Sequence, residues 1–122
     1  MILADTSVWV DHLRRSNPEL IELLDAGEIL THPFVIGEVA MGNLPRRATF
    51  LDAMRKLHRA LSATDHEAVS LMESERLYGL GIGFVDLHLL ASTRLTAAAT
   101  LWTRDRRLRD IAARLGIGEP RG

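Results

Sequence analysis

Ile2-Leu3-Ala4-Asp5-Thr6-Ser7 decides how this chain is read: a short apolar run stops at an acid, and a polar turn follows. The run predicts a buried strand, with Asp5 projecting just beyond its carboxyl end. The pattern returns late in the chain. Ala97 to Trp102 reads as a buried strand, and Thr103 and Arg104 separate it from Asp105. Between them, Ile29-Leu30-Thr31 reads as one more strand.

The intervening segments carry helical spacing. Val8 to Arg14 begins a helix. Asn17-Pro18 opens a second over Glu19 to Ala26, which Gly27 ends. Pro33 starts a third, running to about Met41, and Gly42-Asn43-Leu44-Pro45 breaks it. Thr49 to Ala60 is amphipathic and reads as a fourth. Asp65 is expected to cap a helix from His66 to about Tyr78, and a Gly79-Leu80-Gly81-Ile82-Gly83 loop leads to another from about Asp86 to Leu95. Asp105 caps a last helix reaching Leu115. Short apolar strands alternating with helices predict an α/β fold with a mainly parallel sheet covered on both faces. In such sheets ligands sit beyond the carboxyl ends of the strands.

That rule selects Asp5 and Asp105. Asp86 opens a helix after a glycine-rich loop, and Glu38 lies within the apolar stretch Phe34-Val35-Ile36-Gly37-Glu38-Val39-Ala40-Met41. Each acid has a simpler reading. Asp5, Asp86 and Asp105 fit as helix caps, and Glu38 fits as a side chain reaching solvent from a surface helix. If all four converge, carboxylates about 4 Å apart repel by roughly 4 kcal/mol at an effective dielectric near 20, so they would hold protons or a divalent cation. All-oxygen ligands favour Mg²⁺ or Mn²⁺ over zinc, and Mg²⁺ with its waters suits phosphodiester hydrolysis.

Composition narrows the rest. The 122 residues fit one domain, residues 1–122, and contain no cysteine, which excludes disulfides, thiolate metal sites and cysteine nucleophiles. No run of about 18 apolar residues exists to span a membrane. The opening residues lack the positive start and apolar stretch of a signal peptide, so a cytoplasmic protein is expected. Net charge is −1, and setting aside the four negative acids leaves +3 for the remainder. Fourteen arginines stand against the single Lys56. Arginine's planar fork suits phosphate, and Arg46, Arg47, Arg104 and Arg106 are expected to border a substrate groove. A solvated helix face is the simpler reading of the basic residues. Trp9, Phe34 and Phe50 are assigned to the core or a partner interface rather than to base stacking, and none of the five histidines receives a role.

Four ordered stretches resemble the VapC-type PIN-domain ribonuclease toxins of type II toxin–antitoxin pairs. Leu3-Ala4-Asp5-Thr6-Ser7-Val8-Trp9-Val10-Asp11 resembles their opening. Ile36-Gly37-Glu38-Val39-Ala40-Met41-Gly42 resembles the second motif, and Ile82-Gly83-Phe84-Val85-Asp86-Leu87-His88-Leu89-Leu90-Ala91 the third. Leu101-Trp102-Thr103-Arg104-Asp105 resembles the fourth. The resemblance implies a three-layer α/β/α sandwich and an Mg²⁺- or Mn²⁺-dependent endoribonuclease acting on structured RNA such as transfer or ribosomal RNA. It also implies a homodimer and a cognate VapB-like antitoxin that blocks the pocket. By that resemblance Asp5 and Asp86 are the principal metal ligands. Glu38 and Asp105 complete the acidic set at the metal, and Thr6, Ser7 and Thr103 fix the carboxylates. Some relatives carry a further acid one turn beyond the third aspartate, where this chain has Leu89 and Leu90.

Two other readings use the same acids. An aspartate phosphotransfer protein would want a lysine after a late strand or a second aspartate at position 7, where Ser7 stands. A non-catalytic docking module would be expected to have lost at least one acid.

Overall fold

The computed structural model describes residues 1–121. Strand β1 (Ile2–Ala4) leads into α1 (Thr6–Arg15) and α2 (Pro18–Asp25), then β2 (Ile29–Thr31) and α3 (Pro33–Ala40). Helix α4 (Arg47–Arg55), strand β3 (His58–Arg59) and helices α5 (Asp65–Glu75) and α6 (Phe84–Leu95) follow. Strand β4 (Thr100–Trp102) and α7 (Arg106–Arg114) close the order. The four strands lie β3-β2-β1-β4, and every pairing is parallel. Helices cover both faces, giving the three-layer α/β/α arrangement. All three residues of β1 and of β2 are buried, as a sheet covered on both sides requires.

The strand order matters for function. From β1 the chain moves outward through β2 to β3, then returns to place β4 on the other side of β1. The order reverses at β1, so the crevice beyond its carboxyl end is the switch point where open α/β sheets hold their ligands. Asp5 stands there, and its backbone N–H is tied across to the carbonyl of Trp102 at 3.0 Å.

Several expected boundaries differ. The amphipathic stretch Thr49–Ala60 is not one helix: α4 ends at Arg55, and His58–Arg59 pairs with Leu30 and Thr31 as an edge strand. The cause is the open edge of β2, whose backbone groups need partners that a helix could not supply. Strand β4 begins at Thr100 rather than Ala97, because a turn with Ala98 at φ 56° occupies the preceding residues. Thr64, not Asp65, caps α5. Its hydroxyl accepts from Glu67 N–H and Glu67 reaches back to the Thr64 N–H, a reciprocal box that Asp65 cannot form one residue later. The helix then stops at Glu75 rather than Tyr78, with Arg76 left-handed and Leu77 N–H bonded to the Met72 carbonyl. Helix α6 starts at Phe84, which places Asp86 at its third position rather than at its start.

Candidate metal centre

Asp5 is 4% exposed, and its surroundings are built to orient it. The Ser7 hydroxyl donates to Oδ1 and the Thr103 hydroxyl to Oδ2, each at 2.5 Å. Val8 N–H also reaches Oδ1, so Asp5 is at once the N-cap of α1 and a fixed carboxylate. The tether extends further. Ser7 Oγ accepts from Arg104 N–H and Thr103 Oγ1 from Asp105 N–H, which locks the turn after β4 onto the turn after β1. Burial raises the Asp5 carboxyl above the ordinary range, and these hydrogen bonds oppose the rise without cancelling it.

The other three acids arrive on different elements. Glu38, on α3, accepts a 2.5 Å hydrogen bond from Thr6 Oγ1 and is exposed, in agreement with a side chain reaching solvent from a surface helix. Asp105 caps α7 by accepting from Leu108 N–H. Asp86 sits in the first turn of α6, with Gly83 N–H 3.4 Å from Oδ2. Its carboxyl is raised first by burial, and the negative charges of Asp5, Asp105 and Glu38 add to the effect against the Gly83 hydrogen bond. Asp86 therefore feels all three other acids. The cap readings of Asp5 and Asp105 hold as well, because one carboxylate can accept from a helix N-terminus and still present a lone pair.

The chemistry of the set can be tested against an ion. All donors are carboxylate oxygens, two of them hold protons more tightly than free carboxylates, and their repulsion would be relieved by a hard cation. Among the described residues, no three acidic or histidine side chains stand close enough to chelate an ion by themselves. A cation held here would have to keep waters of its own, as Mg²⁺ and Mn²⁺ do when they take one or two carboxylates directly.

The arginines divide. Arg47 is engaged: its guanidinium donates to the Ala40 and Gly42 carbonyls, satisfying the end of the helix that carries Glu38. Arg104 lies 3.8 Å from Asp11. Arg46 is exposed in the left-handed region at φ 52°, and Arg106 is exposed at the start of α7. Lys56 follows α4 and is not among the charges felt at Asp86.

One constellation escaped the sequence reading. His32 follows β2 as Asp5 follows β1, a positional signal that was available. Its Nδ1 accepts from Phe34 N–H, capping α3, and its Nε2 lies 3.0 Å from Ser92 Oγ. Burial, then the charges of His88 and Arg59, lower its pKa to about 4. Protonation would turn the capping acceptor into a donor facing another donor. The unfolded chain takes up that proton near pH 6.5 while the fold refuses it, so stability is full above about 6.5 and falls as pH drops toward 4. The expected loss is about 2–3 kcal/mol, read as a lower urea midpoint at pH 4.5 than at pH 7. His32→Asn, which keeps a capping acceptor, should flatten this dependence; an unchanged slope in that variant would refute the assignment.

The profile of the PIN-domain family matches residues 2–114. The chain is 44% identical over 117 residues to Ribonuclease VapC32 of Mycobacterium tuberculosis (strain CDC 1551 / Oshkosh), covering 96% of this chain and 94% of that protein. The same figures hold for Ribonuclease VapC32 of strain ATCC 25618 / H37Rv.

Proposed function

The chain belongs to the PIN-domain family, in its VapC ribonuclease branch, and from that premise we propose that it is a metal-dependent endoribonuclease, the toxin of a toxin–antitoxin pair. The observation that carries the metal-dependent reading is that the negative charges of Asp5, Asp105 and Glu38 all act on Asp86, with Asp5 at the switch point of the sheet.

In this reading Asp5 and Asp86 would hold the ion, and Glu38 and Asp105 would complete the acidic set. When bound, Mg²⁺ or Mn²⁺ supplies Lewis acidity toward the scissile phosphate and acidifies a water. The protein's contribution is orientation. Ser7, Thr103 and Val8 N–H hold the Asp5 carboxylate in one rotamer, so its outward lone pairs are already aimed. Thr6 occupies Oε1 of Glu38, which leaves Oε2 to take the proton of the attacking water. Water adds to phosphorus, the bond to one ribose oxygen breaks, and the products are a phosphate end and a hydroxyl end. Structured RNA, transfer or ribosomal, is the substrate class. Arg46, Arg104 and Arg106 meet its backbone, and Arg47 acts by anchoring the Glu38 helix. A VapB-like antitoxin covers the acids, the working form is a homodimer, and the cytoplasm is its compartment. No helix among the described residues is long and apolar enough to cross a membrane.

Incubation of the purified protein with cellular RNA and Mg²⁺ or Mn²⁺, followed by mapping of the new ends, tests this directly. Discrete ends are expected; intact RNA with both ions would remove the proposal. The hydroxyl tether makes a finer prediction. Thr103→Val strips Asp5 of one donor and Asp105 N–H of its acceptor, and should slow cleavage roughly 10–100-fold, as loss of a ligand-orienting group does. Thr103→Ser should restore most of the rate, and an unimpaired Thr103→Val would show that the tether is idle.

A further inference from the structure

Beside the acids lies an aromatic cluster for which the reaction above has no use. His88, on α6, is 2% exposed, and neither ring nitrogen has a hydrogen-bond partner, although Asp65 Oδ1 lies 3.0 Å from Nε2. Two phenylalanines pack edge-to-face on this imidazole. Phe34 of α3 has its centroid 5.0 Å away, and Phe84, one turn earlier on α6, 4.7 Å away. Both phenylalanines are nonetheless open to solvent, Phe34 at 39% and Phe84 at 53%. Of the two readings given for Phe34, core or partner interface, its exposure removes the core: it packs on a buried ring from outside.

We propose that Phe34 and Phe84, braced by His88, form a nucleobase subsite that stacks an unpaired base of the RNA beside the cleaved phosphate. The proposal rests on the ribonuclease reading of the acidic site. Position supports it: Phe34 precedes Glu38 by four residues, so the two share one face of α3 about 6 Å apart along its axis, and Phe84 joins Phe34 through the His88 ring that both touch. A strand with a phosphate at the acids therefore brings a neighbouring base to these rings. Chemistry supports it too. A cluster of rings beside the Asp65 carboxylate gives phosphate nothing to bind, whereas a neutral base finds π-faces and an acceptor for an exocyclic amine. Edge-to-face packing on a buried ring holds both phenylalanines in place before the ligand arrives, which lowers the entropy lost on binding. A buried imidazole nitrogen without a partner is costly, and such local costs concentrate where a protein binds something.

The test uses single-stranded oligoribonucleotides carrying 2-aminopurine, bound to full-length Asp5→Asn protein in Mg²⁺ so that they stay intact. Stacking should quench the fluorophore at one position near the cleavage site. Phe84→Leu and Phe34→Leu, which keep apolar bulk but lose the ring, should each weaken binding about tenfold, and Phe84→Trp should restore it. In the otherwise wild-type enzyme the same leucine variants should raise KM with kcat nearly unchanged. Equal affinity of the leucine variants, or equal binding of an oligonucleotide abasic at the quenched position, would overturn the subsite. Loss of dimerisation in Phe84→Leu with nucleotide binding intact would also overturn it and give the surface to a second copy of the chain. Failure of the wild-type protein to cleave any RNA would sink the ribonuclease reading instead, and quenching would still report stacking on its own.

Discussion

Asp5→Asn protein is expected to fold and to lose RNA cleavage. The substitution replaces one oxygen of the best-held carboxylate by an amide nitrogen, which carries no charge and cannot ligate a hard cation through that atom. Metal assistance is worth several kcal/mol of barrier, so the rate should fall by at least about 10³-fold. The fold should survive because two effects oppose each other. The variant weakens hydrogen bonds from Ser7, Thr103 and Val8, and it also removes a buried charge whose desolvation already raises its pKa. A change in unfolding free energy within about 1–2 kcal/mol is expected. Urea denaturation beside initial cleavage rates checks both halves. A folded variant retaining more than about a tenth of the wild-type rate would remove Asp5 from the mechanism. Excess EDTA should stop the wild-type enzyme as completely. Asp5 and Asp86 must lose protons to bind an ion and hold them to higher pH than free carboxylates, so more Mg²⁺ should be needed as pH falls.

Trp102→Ala is expected to bring the fold close to collapse. The side chain is 2% exposed, on the strand that pairs with β1, and it belongs to the single cluster of buried apolar residues under the helices. Its removal leaves a cavity the rigid parallel sheet cannot close, at a cost of about 3–5 kcal/mol. Domains of this size have only about 5–15 kcal/mol to lose. The urea midpoint should fall by about a fifth of its value or more, as the ratio of those two figures implies. The damage reaches the site, because the Trp102 carbonyl accepts the Asp5 N–H and the next residue is Thr103. Trp102→Phe separates volume from polarity. It keeps most of the packing and removes an indole N–H that has no partner, so it should cost clearly less than the alanine variant. Equal losses for the two would show that packing volume is not what Trp102 contributes.

Much of the site was legible in one dimension because its positions are marked by local patterns. A short apolar run between turn signals reads as a strand buried on both faces, and an acid directly after it is then expected at the sheet's carboxyl edge. That places Asp5, and the same reasoning places Asp105 and its neighbour Thr103. Asp86 was legible through the glycine loop before it, although the helix begins two residues earlier, at Phe84. Gly81 shows why that loop uses glycine: its φ of +81° lies in the left-handed region where a Cβ is strained. Glu38 stands out in sequence as an acid in an apolar stretch, and of its two readings the structure agrees with a side chain reaching solvent from a surface helix, where it meets Thr6.

By itself, the sequence determined the parallel α/β architecture and nominated the acids and an oxygen-only ligand chemistry, because periodicity and residue type encode burial and charge locally. Only the tertiary structure decided which backbone pairs with which and which charges feel one another. The edge strand His58–Arg59 is too short to carry a period and exists because β2 has an open edge. The use of Arg47 to cap α3, the His32–His88 pair beneath two exposed phenylalanines and the common pull on Asp86 are through-space relations. Such relations depend on distances between residues far apart in the chain, and no local pattern records those distances.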